Sequence, residues 1–153
     1  MRDKPYQHPK SIRWLLLLIG FIAKYLLRLV WRRPAKRSRG LIRYGDYILL
    51  VTNITTPRHW TLPGGGYKKG ESTAACASRE IREELGIAIS ATKFHSPSTH
   101  RERVFGIDWH YDCVQTSIDI LPDISLSHEL SRAQWFHVST LPVRHSRYID
   151  SLL

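Results

Sequence analysis

Hydrophobic residues follow three patterns along this chain, and each pattern predicts a different kind of element. Every residue from Trp14 to Ala23 is apolar, and after two basic interruptions the apolar run continues to Trp31. This predicts an apolar helix over residues 12–31. Further along, short apolar runs alternate with turn residues, as is typical of strands, and residues 72–85 carry apolar positions at helical spacing.

The N-terminal helix has three open interpretations. Lys24 and Arg28 are four residues apart and share one helix face, which favours a helix lying in a membrane interface with its basic residues at anionic head groups. The second interpretation is a helix that spans the membrane once, although a Lys or Arg at the middle of the membrane costs about 2.5–3.5 kcal/mol. The third is a helix that packs on the domain or on a second copy. A cleaved signal peptide is disfavoured because no small-x-small site follows.

The segment RRPAKRSRG, residues 32–40, reads as a linker. Pro34 cannot continue a helix, and the charged run ends in glycine. We therefore place a boundary between a leader helix with its linker, residues 1–39, and a globular domain, residues 40–153.

The globular part predicts an α+β fold. Residues 41–53 read as a hairpin with its turn at Tyr44-Gly45-Asp46, and residues 60–71 as a short strand that becomes a glycine-rich loop. A helix follows over 72–85, with Ser72 as N-cap and Gly86 as C-cap. Its apolar seam contains Ala74, Ala77, Ile81 and Leu85. Strands are predicted near 87–95, 101–105, 109–120 and 132–138, before a short C-terminal helix.

Charge is distributed unevenly. Residues 1–40 hold eleven Lys/Arg and one acid, whereas residues 41–153 hold twelve of each, so the formal charge of +10 lies in the leader. A neutral domain makes nucleic acid an unlikely partner. Cys76 and Cys113 fit neither a zinc site nor a disulfide framework, which favours a reducing, cytoplasmic location, with membrane association through residues 12–33.

Three glutamates on the predicted helix carry the candidate chemistry. Glu80, Glu83 and Glu84 stand at i, i+3 and i+4, so their carboxylates share one face. Such a cluster suits a hard divalent cation, Mg²⁺ or Mn²⁺, whose shell takes carboxylate, carbonyl and phosphate oxygens. Arg79 is placed to pair with Glu71 or Glu83. A solvated helix with ordinary Arg–Glu pairs is the alternative at this point.

The spacing around these glutamates resembles a known family signature. Gly65, five residues, Glu71, seven residues and then REIREELGI at 79–87 match the complete Nudix box, with WTLPGG upstream. The resemblance covers about residues 40–150 and not the leader. It implies a mixed sheet in an α/β/α sandwich, and hydrolysis of a diphosphate linkage in a nucleoside diphosphate derivative.

The resemblance also implies roles for individual residues. The implied metal ligands are Glu80, Glu83, Glu84 and the Gly64 carbonyl. Glu71 and Arg79 would form a supporting pair, so that the catalytic set is Glu71, Arg79, Glu80 and Glu83. The general base differs between family members, and the candidates here are Glu80, Glu102, Asp108 and Glu129.

The substrate stays open at this level. Three known subgroups are marked by a downstream proline, a downstream tyrosine or a longer motif. None of these markers stands at its expected position in residues 96–110, where the nearest proline is Pro97. Candidate substrate contacts are Arg101, Arg103, Lys68 and Trp60. Two alternatives remain: a Nudix-fold module that binds nucleotide without cleaving it, and a hydrolase of lipid diphosphates that the leader brings to a membrane. Homodimers are common in the family, so a homodimer is also considered.

Overall fold

The computed structural model describes residues 35–104 and 107–153. The strands are β1 (Ala35–Tyr44), β2 (Tyr47–Asn53), β3 (His95–Val104), β4 (Ile107–Ser117) and β5 (Leu130–His137). The helices are α1 (Thr73–Leu85) and two 3-10 helices, η1 (Ala91–Lys93) and η2 (Arg147–Leu152).

The five strands form one mixed sheet in the order β3-β4-β1-β2-β5. β1 runs parallel to β4, with Gly40 opposite Val114, and the other neighbours are antiparallel. The β1–β2 hairpin has the predicted turn, in which Gly45 takes a left-handed φ of 53°. The α+β prediction with a mixed sheet is confirmed.

Each face of the sheet has its own core. One face packs Ile42, Leu49 and Val51 against Ala77, Ile81 and Leu85 of α1. The opposite face packs Leu41, Ile48 and Leu50 against Trp60, Leu62 and the η2 residues Tyr148 and Ile149. Neighbouring residues of β1 and β2 thus supply opposite layers, because side chains alternate across a strand. The layers are α1, the sheet, and the 60–62 segment with η2.

Helix α1 begins and ends as its sequence predicts. The Ser72 side chain accepts a hydrogen bond from the Ala75 amide, 3.2 Å away, and so satisfies one of the free N–H groups of the first turn. Gly86 closes the helix in the left-handed region, with φ 72°, and donates its amide to the Arg82 carbonyl over 3.0 Å. The Ser72 cap fixes where the helix starts after the glycine-rich loop, and the Gly86 cap fixes where it ends.

The structure corrects three details of the predicted elements. Residues 35–40 are not a linker, because they form the first half of β1 and pair with residues 109–114 of β4. Residues 87–94 are not a strand, since the Ser78 hydroxyl holds the Ile89 carbonyl at 2.5 Å and η1 follows. The C-terminal helix is a 3-10 helix.

The predictions for the leader concern residues that the structure does not describe. The apolar helix over 12–31 lies outside the described residues, and the exact domain boundary stays a prediction. Among residues 35–104 and 107–153, no helix has the length and hydropathy needed to cross a membrane.

Candidate active site

The glycine-rich loop, residues 64–71, lies directly against β1 and α1. At Gly64, where φ is 134°, a side chain would place its Cβ 2.3 Å from the Ser38 carbonyl oxygen. At Gly65 a Cβ would lie 2.5 Å from the Glu80 carboxylate carbon. The Ser38 amide also donates to the Gly65 carbonyl over 2.9 Å. Glycine at both positions therefore lets the loop backbone touch the strand on one side and a glutamate on the other.

Arg79 is the centre of the hydrogen-bond network between loop and helix. Its Nε and Nη2 donate to the two carboxylate oxygens of Glu71 over 2.6 and 2.9 Å. Its Nη1 donates to Glu80 over 2.8 Å and to Glu83 over 2.9 Å. Nη2 also reaches the Gly66 carbonyl at 2.9 Å. One planar guanidinium thus fixes three glutamates and the loop backbone, and the predicted pairing of Arg79 with Glu71 is observed.

These contacts shift the pKa values of the paired groups. The Arg79 hydrogen bonds, followed by the Lys68 amide at 2.7 Å, lower the pKa of Glu71 to about 2. Partial desolvation of Glu83 is outweighed by hydrogen bonds from Arg79 and Lys68, which lower its pKa. The Glu71 hydrogen bonds raise the pKa of Arg79. Glu71 and Glu83 are therefore ionised at neutral pH.

Glu84 has a different environment. Only 8% of it is exposed, and its Oε2 accepts a hydrogen bond from the Gly64 amide at 2.9 Å. Burial raises the pKa of Glu84 to about 7, and the charges of Glu80 and Glu129 add to the effect while that of Arg39 opposes it. This carboxylate pays a desolvation cost that a nearby cation would offset.

The three box glutamates are not gathered about one point. Arg79 bridges Glu80 and Glu83, whereas Glu84 is turned toward the Gly64 amide. Within the described residues, no three His, Cys, Asp or Glu side chains are grouped closely enough to hold one metal ion. The expected convergence of the three carboxylates is therefore not observed: Glu80 and Glu83 meet at Arg79, and Glu84 lies apart at the Gly64 amide.

Arg39 is a site residue that sequence reasoning missed. Its Nη1 donates to the Gly64 carbonyl and, over 3.1 Å, to the Leu62 carbonyl, and its guanidinium lies 5.5 Å from the centre of the Tyr111 ring. It therefore contacts the carbonyl that the box resemblance assigns to the metal. Arg39 fell within the charged run read as a linker, so only recognition of that run as a strand would have placed it here.

A comparison with known protein families decides the classification. The NUDIX domain model matches residues 34–151, most of the chain. The chain belongs to the Nudix family. Its fold agrees: a MutT NUDIX hydrolase structure from Burkholderia pseudomallei has a TM-score of 0.64 at 23% identity, covering 78% of this chain and 95% of that one.

Two further proteins that are similar to this Nudix domain have names that describe different activities. The diphosphoinositol polyphosphate phosphohydrolase 2 of Rattus norvegicus is 29% identical over 116 residues, covering 70% of this chain and 63% of the relative. The chain thus spans less than two-thirds of that protein's length. A bifunctional NMN adenylyltransferase/ADP ribose pyrophosphatase from Francisella tularensis, in complex with AMP and a manganese ion, has a TM-score of 0.62 at 20% identity, over 83% of this chain and 42% of that one.

The predicted substrate contacts of the Nudix domain lie in different environments. Trp60 is 7% exposed and packs edge-on against Phe136 at 4.8 Å between ring centres, which is the position of a core residue and not of a stacking platform. Lys68 pairs with Glu83 at 3.3 Å on the loop surface. Arg101 is exposed on β3, and Arg103 pairs with an exposed carboxylate at the hairpin end. Substrate contact by Arg101, Arg103 and Lys68 stays a prediction.

The general-base candidates are also separated. Glu80 lies against Gly65, and Glu129 is close enough to Glu84 for its charge to raise the pKa of that carboxyl. Glu102 instead approaches the Arg147 amide at 3.4 Å, and Asp108 pairs with Arg103 at 3.6 Å. The structure therefore brings Glu80 and Glu129 to the site and leaves Glu102 and Asp108 at other contacts.

Proposed function

We propose that this Nudix domain hydrolyses a diphosphate linkage in a nucleoside diphosphate derivative, using Mg²⁺ or Mn²⁺. The observation that carries the proposal is the Arg79 network, which holds Glu71, Glu80 and Glu83 against the glycine-rich loop. An ordinary solvated helix would leave such pairs exposed, whereas Arg79 has only 12% of its side chain exposed and makes five hydrogen bonds to carboxylate and carbonyl oxygens.

The residues present fit a divalent cation of the Mg²⁺ type. The donors are carboxylate oxygens, which such ions prefer, and Glu84 is a buried carboxylate whose Oε2 accepts a hydrogen bond from the Gly64 amide. Glu80, Glu83 and Glu84 would hold the ion, which requires their carboxylates to rotate toward a common point from the two separate positions described above. When bound, it would supply charge neutralisation at the diphosphate and lower the pKa of a bound water.

The protein's own residues would organise the reaction. Arg79 and Glu71 orient the Glu80 and Glu83 carboxylates, and the hydrogen bonds of Arg79 lower the pKa values of Glu71 and Glu83, which are ionised at neutral pH. Gly66 and Gly70, where an added Cβ would meet no atom within 4 Å, leave the loop backbone open to the close approach of a phosphate group. Glu80 is our choice for the general base, because its carboxylate lies against Gly65 of the loop and its hydrogen bond to Arg79 stays within α1; Glu129, near Glu84, is the alternative.

A nucleotide panel tests the activity. The full chain is incubated with nucleoside diphosphate derivatives in Mg²⁺ or Mn²⁺, and release of phosphate or nucleoside monophosphate is measured. Glu83→Gln is expected to lower kcat by on the order of a hundredfold or more. Asp46→Asn, which removes one carboxylate at the β1–β2 turn, is the matched control and should keep wild-type turnover. Binding of Mg²⁺ without turnover of any diphosphate would contradict the proposal.

The substrate class is supported by a groove beside the loop. The groove has a volume of about 580 Å³ and is lined by Lys36, Arg37, Tyr67, Lys68 and Glu71 with two glycines. Cations beside an acidic metal-binding face suit a substrate with several phosphates. The names of the relatives, which describe diphosphoinositol polyphosphate and ADP-ribose hydrolysis, support a phosphate-rich substrate here.

We also propose that residues 12–33 attach the domain to a membrane surface. The support is the sequence alone: an apolar run with Lys24 and Arg28 on one face and basic flanks. The full chain should float with anionic vesicles, and a chain lacking residues 1–33 should not. Turnover of soluble nucleotides should survive that deletion. Loss of lipid-diphosphate turnover alone would point to a lipid substrate, and flotation of both chains would refute the attachment.

A further inference from the structure

We propose that Asp112 is a positioning residue for the reaction, because it fixes the glycine-rich loop through the hydroxyl of Tyr67. The inference rests on the proposed function, since the loop is argued to meet the diphosphate. Tyr67 and Asp112 are 45 residues apart in sequence, and neither is a fixed position of the Nudix box.

The anchor is a row of polar residues where the sheet faces the loop. Ser38, Asp112 and Thr99 stand directly opposite one another on β1, β4 and β3. They lie on the face that packs α1, because Ile42 and Val114 occupy the same face two or four residues further along. Ser38 and Asp112 are buried, the latter with 6% exposed. Polar groups thus replace core residues beneath the start of α1.

Asp112 makes three contacts there. Its Oδ2 accepts a hydrogen bond from the Tyr67 hydroxyl at 2.5 Å, and its Oδ1 accepts one from Thr99 at 3.0 Å. Lys36 pairs with Oδ2 at 2.9 Å, and its ammonium also lies 5.5 Å from the centre of the Tyr67 ring. A buried carboxylate that is satisfied in this way holds its partners in one geometry.

Tyr67 stands between the two loop residues that contact the box side chains. The carbonyl of Gly66 accepts from Arg79 at 2.9 Å, and the amide of Lys68 donates to Glu71 at 2.7 Å. A shift of Tyr67 would therefore disturb both contacts of the Arg79–Glu71 pair with the loop. The Tyr67 hydroxyl also lies 3.1 Å from the hydroxyl of Thr73, the first residue of α1.

The ionisation of both partners suits this role. Burial, with a further contribution from Asp112, raises the pKa of Tyr67, so the phenol keeps its proton as a donor. Burial alone would raise the pKa of Asp112, but hydrogen bonds from Lys36, Tyr67 and Thr99 outweigh it and lower that pKa. The donor and the acceptor keep these states across neutral pH.

The test compares single and double variants of the full chain. Tyr67→Phe and Asp112→Ala are each expected to lower kcat by on the order of ten- to a hundredfold with KM within about twofold, because a displacement of the order of 1 Å at the reacting groups has effects of this size. The double variant should show no larger loss of kcat than the single variants, because each single substitution already breaks the hydrogen bond between Tyr67 and Asp112. Asp112→Asn keeps an acceptor oxygen for Tyr67 and should recover most of the turnover.

A matched control separates positioning from stability. Tyr148→Phe removes another buried hydroxyl, which lies 2.7 Å from Thr61 in the opposite core, and should lower the melting temperature without changing kcat. Multiplicative losses in the double variant, wild-type kcat in Tyr67→Phe, or an equal loss of kcat in Tyr148→Phe would overturn the inference.

A second measurement does not depend on turnover. Amide exchange of Lys68, followed by NMR, should accelerate in Tyr67→Phe and Asp112→Ala and stay unchanged in Tyr148→Phe. If the wild-type chain cleaves no diphosphate, the proposed function fails, and unchanged Lys68 exchange in Tyr67→Phe would separately refute the anchoring of the loop.

Discussion

Replacing Glu84 by glutamine should make the metal-free protein more stable at alkaline pH relative to wild type. The folded state raises the pKa of Glu84 from its ordinary value of 4.5 to about 7, chiefly by burial. Between these two values the folded protein binds a proton that the unfolded chain releases, so the stability of the wild type falls as the pH rises through this window. Glutamine carries no titrating group and avoids the loss.

The size of this stability change follows from the pKa shift of Glu84. Each pKa unit corresponds to about 1.4 kcal/mol, so the full shift costs the wild type about 3 kcal/mol at pH 8 and about 1 kcal/mol at pH 5. The stability difference between Glu84→Gln and wild type should therefore change by about 2 kcal/mol in favour of the variant between these pH values. The constant cost of burying an amide at this position cancels in that comparison.

Denaturant unfolding of both proteins at several pH values, with a metal chelator present, measures this difference. Glu83→Gln is the matched control one residue away, because the pKa of Glu83 is lowered and its carboxylate is ionised throughout pH 5–8. The difference in free energy of unfolding between Glu83→Gln and wild type should stay constant from pH 5 to pH 8. Parallel pH curves for wild type and Glu84→Gln would refute the argument that burial governs this carboxylate. Added Mg²⁺ should stabilise the wild type more than Glu84→Gln, by linkage.

Three other substitutions test the geometry of the site. Gly65→Ala would place a methyl group 2.5 Å from the Glu80 carboxylate carbon, so kcat should fall while thermal melting shows a loss of about 1–3 kcal/mol. Arg79→Lys cannot reproduce the planar fork that binds Glu71, and should cost about 2 kcal/mol in denaturant unfolding and most of the activity; retention of both would contradict the central role of this residue. Ser72→Ala removes the N-cap and should cost about 1 kcal/mol, measured in the same way, with turnover preserved.

Local sequence was sufficient for the elements whose determinants lie close together in the chain. Ser72 and Gly86 mark the ends of α1 because capping depends on side chains and backbone angles within one turn. The hairpin at Gly45 follows from a left-handed turn between two apolar runs. The box spacing from Gly65 to Ile87 identified the family for the same reason: its fixed letters lie on one loop and one helix.

Tertiary structure decided what depends on residues distant in sequence. The first half of β1 has a charged, linker-like sequence and becomes a strand because it pairs with β4 about 75 positions later. Trp60 becomes a core residue because η2 and β5 pack over it, whereas its place at the start of a predicted short strand left a substrate contact open as well. Such pairings are set by long-range contacts, which override local preference.

The candidate site divides in the same way. The sequence by itself determined which residues are glutamates, that they share a helix with Arg79, and that glycines precede them. Only the fold directed Glu84 into a buried position at the Gly64 amide, brought Arg39 to the Gly64 carbonyl and anchored Tyr67 to Asp112. Spacing along a helix fixes neighbours three and four residues apart, whereas burial and its effect on pKa arise only when separate segments of the chain exclude water together.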